Sequence, residues 1–396
     1  MSDPVISVAM VVRNVQRFLA EAIESILAQT FTDFEFIIVD FGSTDNSKEI
    51  VTKYAATDTR VQMHEIAPCG LAEARNAAGF LARGRYIAIM DADDIAAPER
   101  LRLQVAFLEK NPGVGVVGGA TEWIDAAGDS LRRETFPTGN QEIKSALEVH
   151  CPFCQPSVLV RREAFDLVGG YRAAFAPAED YDLWMRISEH YECANLSDVL
   201  LKYRIHPQQV SFQKRTQQTL GCIAARVSAA ARRSGCSDPL EGVAEINSAL
   251  LAELGVSEGT QQVILADEYL CWVRNMSAAG EYESARKIAA EVVKSPDWEH
   301  VERWQAASMQ LLLAFLYWKE KAFVKALGTA CRAYMTRPVM LARPLKSLMR
   351  WSRSDGSTRG ASRTAVLPGA KSGQSQEFPD QLCNDNIGSS GNVEVG

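Results

Sequence analysis

The sequence predicts an α/β domain with a mostly parallel sheet flanked by helices, followed by an all-α region. Short apolar runs alternate with helical patterns over the first hundred residues, as in parallel sheets. Residues 213–351 are rich in Ala, Leu, Glu, Gln and Arg, which favours helix. Residues 352–396 are dominated by small and polar residues, which predicts a disordered tail. We therefore expect three parts, at 1–212, 213–351 and 352–396.

The first part divides into elements in a regular order. Residues 5–12 and 34–39 are near-continuous apolar runs of strand length, as expected for strands covered on both faces. Between these runs, apolar residues recur at helical spacing, namely Phe18, Leu19, Ala22, Ile23, Ile26 and Leu27. Helices are predicted at 46–56, 71–82 and 98–111, with strands at 61–64 and 86–90. Asn46 and Glu49 fit a capping box for the first of these helices.

Beyond residue 113 the pattern is mixed, and it predicts a less regular half of the first domain. Apolar runs at 114–117 and 158–160 are separated by polar loops that contain Gly. In the helical region, one set of residues is echoed about 41 positions later: Tyr282, Ala285 and Pro296 by Phe323, Ala326 and Pro338. This spacing is typical of stacked helical hairpins, but two copies are also compatible with a plain bundle.

Charge and hydropathy restrict the class of partner. The net charge is −7, from 42 basic and 49 acidic residues, which gives no reason to expect a nucleic acid as partner. The apolar run at 5–12 has no basic residues before it and is too short for a signal peptide core or a membrane span. We therefore expect a cytoplasmic protein.

A carboxylate follows the second predicted strand. Asp40 ends the run Ile-Ile-Val-Asp, and the turn Phe41 to Asp45 leads into the next helix. Ligands of open parallel sheets bind at such carboxyl ends, so Asp40 is a candidate to accept hydrogen bonds from a base or ribose. Taken alone, the motif is better explained by Ser43, Thr44 and Asp45 as helix caps.

Three carboxylates follow the strand at 86–90. Asp91, Asp93 and Asp94 lie within four residues, and like charges this close repel each other unless a cation or hydrogen bonds compensate. Carboxylate oxygens suit Mg²⁺ or Mn²⁺, which usually bind through one or two carboxylates together with substrate phosphates. The sequence therefore predicts a divalent metal site here, although an isolated D-x-D is common.

A third acidic cluster opens a later helix. Glu179, Asp180 and Asp182 precede the helical run that contains Trp184. Acidic residues at a helix N-terminus are also favoured by the helix dipole alone. The functional interpretation is that one of these carboxylates acts as general base for a hydroxyl nucleophile.

Taken together, these motifs resemble family 2 glycosyltransferases of the GT-A fold over about residues 4–212. The matching segments are S-V-A-M-V-V-R-N, Q-T-F-T-D-F-E-F-I-I-V-D-F-G-S-T-D, G-L-A-E-A-R-N, M-D-A-D-D, E-D-Y-D-L-W and Y-R-I-H-P, in the family order. The resemblance implies a role for each of eight residues. Asp40 would contact the nucleotide base, Arg75 and Asn76 the nucleotide, Asp91 the ribose and Glu179 the nucleotide sugar, Asp93 and His206 would bind the metal, and Asp180 would be the base.

The resemblance also implies the reaction. An inverting, metal-dependent transferase would move a sugar from a nucleotide-sugar donor, expected to be UDP-linked, onto a hydroxyl of a saccharide or lipid-linked acceptor in surface polysaccharide or glycolipid synthesis.

Two segments depart from the family: Val-Val-Arg-Asn at 11–14 replaces P-V-Y-N, and Phe41 replaces a second Asp. Two alternatives stay open. One is a non-catalytic nucleotide-binding scaffold of the same fold, and the other is a nucleotidyltransferase, although 10–15 lacks the Gly-rich loop of such enzymes.

Residues 337–353 are basic and amphipathic. Five cations interleave with apolar side chains there: Arg337, Arg343, Lys346, Arg350 and Arg353. Such a segment is typical of peripheral contact with an anionic membrane, which would place the protein at the inner face of that membrane. The same pattern also fits a terminal helix packed on the preceding helices with a solvated basic face.

Overall fold

The structure is a computed structural model that describes residues 3–295 and 301–338. Within these ranges the strands are β1 Ile6–Val12, β2 Phe34–Asp40, β3 Val61–Glu65, β4 Tyr86–Met90, β5 Ile95–Ala96, β6 Val114–Ile124, β7 Ser130–Glu134, β8 Leu159–Arg161 and β9 Glu192–Arg204. The helices of the first 250 residues are α1 Gln16–Leu27, α2 Ser47–Thr57, α3 Leu71–Leu81, α4 Arg100–Lys110, α5 Asn140–Leu147, α6 Arg162–Leu167, α7 Glu179–Ser188, α8 Val210–Gln213 and α9 Arg215–Arg233. They are followed by α10 Ser248–Glu253, α11 Glu258–Ala278, α12 Tyr282–Val292, α13 Arg303–Lys319 and α14 Phe323–Thr336.

The strands form one mixed sheet in the order β3-β2-β1-β4-β8-β6-β9-β5, with β7 paired to β6. The first four of these strands are parallel neighbours. Strand β8 runs antiparallel to both β4 and β6, whereas β6 and β9 are parallel. Helices cover the sheet and a helical region follows it, which confirms the predicted fold class.

Both faces of the sheet are buried, as the continuous apolar runs predicted. Along β1, Val8 and Met10 pack into one core with helices α1, α2 and α4, whereas Ala9 packs into a second core with α3 and α7. Successive side chains of a strand point to opposite faces, so a strand covered on both sides has no polar face to show in its sequence.

The packing continues beyond residue 212, where we predicted the end of the first domain. The core that contains Trp184 of α7 also contains Ile223 of α9, and it extends to Val256. A third core joins Ile205 and Phe212 to helices α11, α12 and α13. The first helices of the helical region therefore support the sheet directly.

The helical region contains two similar helix pairs. Tyr282 begins α12 and Phe323 begins α14, and the alanines one turn later, Ala285 and Ala326, are buried.

Across the described ranges, no helix has both the length and the apolar character that crossing a membrane requires. Apart from Arg337 and Pro338, the predicted amphipathic segment 337–353 lies outside the described residues, as does the predicted tail 352–396.

Candidate active site

Parallel strands bring the first two acidic motifs to one edge of the sheet. Strand β1 lies between β2 and β4, with Val12 beside Asp40 and Met10 beside Met90. Asp91 follows Met90 directly, so Asp40 and the acidic cluster after β4 flank the end of β1. This is the edge at which ligands of open α/β sheets bind.

Asp40 is almost fully buried, at 1% exposure, and its hydrogen bonds to the described residues involve one of its two carboxylate oxygens. Oδ1 accepts hydrogen bonds from the backbone N–H groups of Gly42 and Ser43, each at 3.0 Å. Gly42 has φ 104°, and a Cβ there would lie 2.8 Å from Pro68, so the turn requires glycine. Among the described residues no hydrogen-bond donor reaches Oδ2. A buried acceptor without a partner is costly, so Oδ2 is a candidate to accept a hydrogen bond from a ligand N–H.

Of the caps predicted for the helix after Asp40, the one by Asp45 is observed and the capping box of Asn46 and Glu49 is not. Asn46 makes no side-chain cap hydrogen bond, so the capping box was a wrong prediction. Asp45 replaces it, since its Oδ1 accepts from the backbone N–H of Ser47 at 3.0 Å and its Oδ2 from that of Gln16 at 3.1 Å. Phe41 is buried, and the guanidinium of Arg13 lies 5.6 Å from its ring centre.

Arg75 connects the second and third acidic motifs. From α3, its Nη2 donates to Asp91 Oδ1 at 3.0 Å and its Nη1 donates to Glu179, the first residue of α7. Burial raises the pKa of Asp91 and the charges of Asp93 and Glu179 add to this, whereas the Arg75 cation opposes it. Arg75 therefore balances the charges of two carboxylates, one 16 and the other 104 positions further along the chain.

Asn76 lies next to Arg75 but has different partners. Its amide donates to the backbone carbonyl of Tyr171 at 2.8 Å and accepts from the backbone N–H of the same residue at 2.8 Å. Both functions of the amide are thereby used to join α3 to the loop before α7. The nucleotide contact that the resemblance implied for Asn76 stays a prediction, and the structure gives this residue a positioning role.

Asp93 and His206 form a second pair, in which His206 lies just after the end of β9. Asp93 Oδ2 lies 2.9 Å from His206 Nε2. The imidazole is buried, with Nδ1 3.2 Å from Gln208 Oε1 and its ring 4.9 Å from the ring of Phe18. A carboxylate and an imidazole this close are able to share one divalent cation, and their donor atoms fit Mn²⁺ or Mg²⁺. The described residues contain no group of three or more protein ligands, so such an ion would take its further oxygens from water or a substrate.

Asp94, the third carboxylate of the cluster, has a structural role. It is 1% exposed, and its Oδ1 accepts from the backbone N–H of Arg204 at 2.8 Å. Burial, together with the charges of Asp93 and Asp91, raises its pKa well above the usual range. The Arg204 side chain in turn donates to the carbonyl of Asp93 at 2.9 Å. Sequence reasoning missed Arg204, although it lies within the Y-R-I-H-P motif.

Asp180 is the half-buried second residue of α7. Burial is the main cause that raises its pKa to about 7, and the negative charge of Glu179 adds to this effect. With its amide oxygen towards Arg75, Gln155 accepts from Arg75 Nη1 at 2.9 Å and donates to Asp180 Oδ2 at 3.0 Å. No motif pointed to Gln155. A carboxylate with a pKa near 7 can accept a proton at neutral pH and release it afterwards.

Buried ion pairs hold α7 in place. Asp182 accepts from Arg172 and, at 2.9 Å, from Arg186. Arg172 also donates to Asp238 at 2.8 Å, in the segment after α9. Gly221 of α9 passes so close to this region that a Cβ there would lie 2.8 Å from the carbonyl oxygen of residue 175. The helical region thus helps to fix the helix that carries Asp180.

Comparisons with known proteins agree on one family. The profile described as Glycosyl transferase family 2 matches residues 7–169. An uncharacterized glycosyltransferase of Methanocaldococcus jannaschii is 34% identical over 224 residues, which is 55% of the length of this chain and 76% of the length of that relative. The putative glycosyltransferase EpsE of Bacillus subtilis is 35% identical over 222 residues, 54% of this chain and 77% of its own. The O-antigen biosynthesis glycosyltransferase WbnJ of Escherichia coli is 33% identical over 208 residues, 51% of this chain and 80% of its own.

Proposed function

Because the chain belongs to the family 2 glycosyltransferases, we propose that it moves a sugar from a UDP-linked donor to an acceptor hydroxyl with inversion at the anomeric carbon. The observation that carries this proposal is Asp180, a carboxylate with a pKa of about 7 that Gln155 and the Arg75 network hold at the start of α7. In its charged form Asp180 accepts the proton of the acceptor hydroxyl. The acceptor oxygen then attacks the anomeric carbon from the face opposite the departing diphosphate.

The geometry at Asp40 supports a uracil base. The turn uses Oδ1, which leaves Oδ2 as the acceptor for a ligand. Uracil offers a single ring N–H on its pairing edge, whereas guanine offers a ring N–H and an amino group that would need two acceptors side by side. Phe41 stands where the family usually has another carboxylate, and this agrees with one hydrogen bond to the base rather than two.

Asp93 and His206 would hold the divalent cation, expected to be Mg²⁺ or Mn²⁺. Such an ion, when bound, neutralises negative charge on the diphosphate leaving group. The side-chain oxygen of Gln208 faces Nδ1 of His206, and a proton on Nδ1 would leave Nε2, the nitrogen that faces Asp93, free to bind the ion. Asp91 lies beside this pair and accepts from Arg75, which leaves its second oxygen to contact the ribose.

A donor screen coupled to turnover tests the proposal. Nucleotide sugars are added to the purified protein with and without Mn²⁺, and both the melting temperature and the release of nucleoside diphosphate are measured. We expect a UDP-sugar to stabilise the protein in the presence of the metal and to be consumed when an acceptor is supplied. Asp180→Asn is the matched control, because it should keep the donor-dependent stabilisation while losing turnover.

The same screen separates catalysis from the alternative of a non-catalytic scaffold. A scaffold would show donor-dependent stabilisation in both proteins and no product in either, with any acceptor.

Relatives point to the acceptor class, since WbnJ is named for O-antigen biosynthesis. We infer that the acceptor is a saccharide or lipid-linked saccharide of a surface polysaccharide or glycolipid.

We also propose that the protein works at the inner face of a membrane, with α14 as part of the contact. Helix α14 buries Ala326, Thr329 and Ala333, but on its outer side Val324 is 88%, Leu327 69% and Met335 74% exposed. Four cations and no acidic residue lie between 321 and 337, namely Lys321, Lys325, Arg332 and Arg337. Exposed apolar side chains flanked by cations complement an anionic lipid surface, and each nearby cation contributes about 1 kcal/mol. The same positive charge opposes pairing with a second copy of this surface.

Sedimentation with vesicles of phosphatidylglycerol or phosphatidylcholine tests the membrane contact. The full-length protein should sediment with the anionic vesicles at low salt and be released at high salt. The double variant Val324→Glu, Leu327→Glu should remain in the supernatant. Leu167→Glu is the control, because Leu167 is also an exposed leucine, at 59%, and lies in α6. Equal sedimentation of the two variants would exclude α14 from the contact.

A further inference from the structure

Gln155 is a buried polar residue that joins the two charged parts of the site. It is 6% exposed and begins the short 3-10 turn Gln155–Ser157, which precedes β8. Its charged partners come from other elements, Arg75 from α3 and Asp180 from α7, and the hydroxyl of Tyr171 lies 3.3 Å from its amide. Only one orientation of the amide satisfies both partners, because the other would turn N–H groups towards the guanidinium and an oxygen towards the carboxylate.

This arrangement makes the two oxygens of Asp180 different. Oδ2 accepts the N–H of Gln155, whose carbonyl is polarised by the Arg75 cation, and such polarisation strengthens the N–H as a donor. An oxygen that already accepts a strong hydrogen bond is the poorer site for a proton. Oδ1 is therefore the better proton acceptor of the pair.

We propose that Gln155 is a positioning residue, which holds Asp180 through Oδ2 so that Oδ1 takes the proton of the acceptor hydroxyl. This inference rests on the proposed role of Asp180 as base. In the step, the acceptor O–H bond breaks and its proton moves to Oδ1, while the acceptor oxygen forms a bond to the anomeric carbon. The bond from that carbon to the diphosphate oxygen breaks, and its electron pair leaves with the nucleoside diphosphate.

Glutamine is suited to this place because it is neutral. A glutamate at 155 would add a carboxylate beside Glu179 and Asp180, and their mutual repulsion would favour a shared proton over a free base. A leucine would fill similar space but offer neither hydrogen bond, leaving Asp180 free to rotate and Arg75 with one acceptor fewer.

The test compares Gln155→Leu and Gln155→Glu with the wild type in pH profiles of kcat and in the KM for donor. We expect Gln155→Leu to lower kcat by roughly 10- to 100-fold, with little change in donor KM, because only the orientation of the base is lost. The acidic limb of its kcat profile should move to higher pH, since a hydrogen bond to the charged form of Asp180 is removed. Gln155→Glu should move the limb further in the same direction.

Gln261→Leu is the matched control for loss of a buried amide. Gln261 is 1% exposed and donates to the carbonyls of Ser248 and Val256, in the helical region. It should lower the melting temperature without moving the pH profile. If Gln155→Leu does not fold, Gln155→Met, which also lacks both hydrogen bonds and has nearly the shape of glutamine, takes its place.

Two results would overturn the inference. One is a wild-type pH profile and kcat in both Gln155 variants. The other is a loss of kcat accompanied by an equal rise in donor KM with the acidic limb in place, which is the signature of a donor-binding or purely structural residue. Failure of the underlying base assignment would look different, because Asp180→Asn would then remain active whatever the Gln155 variants do.

Discussion

The pKa of Asp180 predicts how the rate depends on pH. At a pKa of about 7, roughly one molecule in ten carries the charged base at pH 6 and roughly nine in ten at pH 8. The kcat of the wild type should therefore rise roughly tenfold between these values. An Asp180 at the ordinary carboxyl value of 3.8 would be charged at both, and kcat would be flat.

Glu179→Gln perturbs this profile in a known direction. The variant removes the neighbouring negative charge that raises the pKa of Asp180, and it leaves more of the Arg75 cation uncompensated. Both changes favour the charged form of Asp180, so its pKa falls. A loss of about 1.4 kcal/mol of repulsion lowers a pKa by roughly one, which would reduce the kcat ratio between pH 8 and pH 6 from roughly tenfold to roughly twofold.

The assay is initial release of nucleoside diphosphate at saturating donor and acceptor, from pH 5.5 to 8.5 at constant ionic strength. The ratio of kcat at pH 8 to kcat at pH 6 is calculated for each protein, so that a loss of overall activity in the variant cancels. A flat wild-type profile, or a limb that moves to higher pH in Glu179→Gln, would refute the reasoning. A limb that moves with metal concentration would instead report metal binding, so the measurement is repeated at two concentrations of Mn²⁺.

Three further predictions concern the metal, the base pocket and stability. Asp93→Ala should abolish turnover and Mn²⁺-dependent stabilisation by donor in calorimetry, and turnover that persists in EDTA would contradict the metal role. Asp40→Asn keeps the Oδ1 acceptor but places an amide N–H where a base N–H is expected, so donor KM should rise roughly 10- to 100-fold at little cost in kcat. Asp180→Asn should melt at a higher temperature than the wild type at pH 8. Because the folded pKa of Asp180 is raised to about 7 from 3.8, the protonated form stabilises the fold fully below pH 3.8 and this contribution is lost as pH rises through 7. The difference in melting temperature should therefore vanish near pH 4.

Periodicity and order along the chain determined much of the fold by themselves. The apolar runs that became β1, β2 and β4 could be recognised because strands buried on both faces contain almost no polar residue. Since such strands are parallel, Asp40 and Asp91 had to emerge at the same edge, and this followed without any knowledge of side-chain contacts. The family motifs then supplied the candidate residues for the chemistry.

The tertiary structure alone decided which side chains meet and in what environment. Arg75 and Glu179 are 104 positions apart along the chain, and Arg204 is 111 positions from Asp93, whose loop it contacts. Local sequence patterns carry no information about contacts between residues so far apart in sequence. Gln155 belongs to no motif, and it became a candidate only because the packing of β8 against β4 brings it between α3 and α7. The pKa of Asp180 depends on burial, and burial is a property of the packed molecule that a single segment of sequence cannot encode.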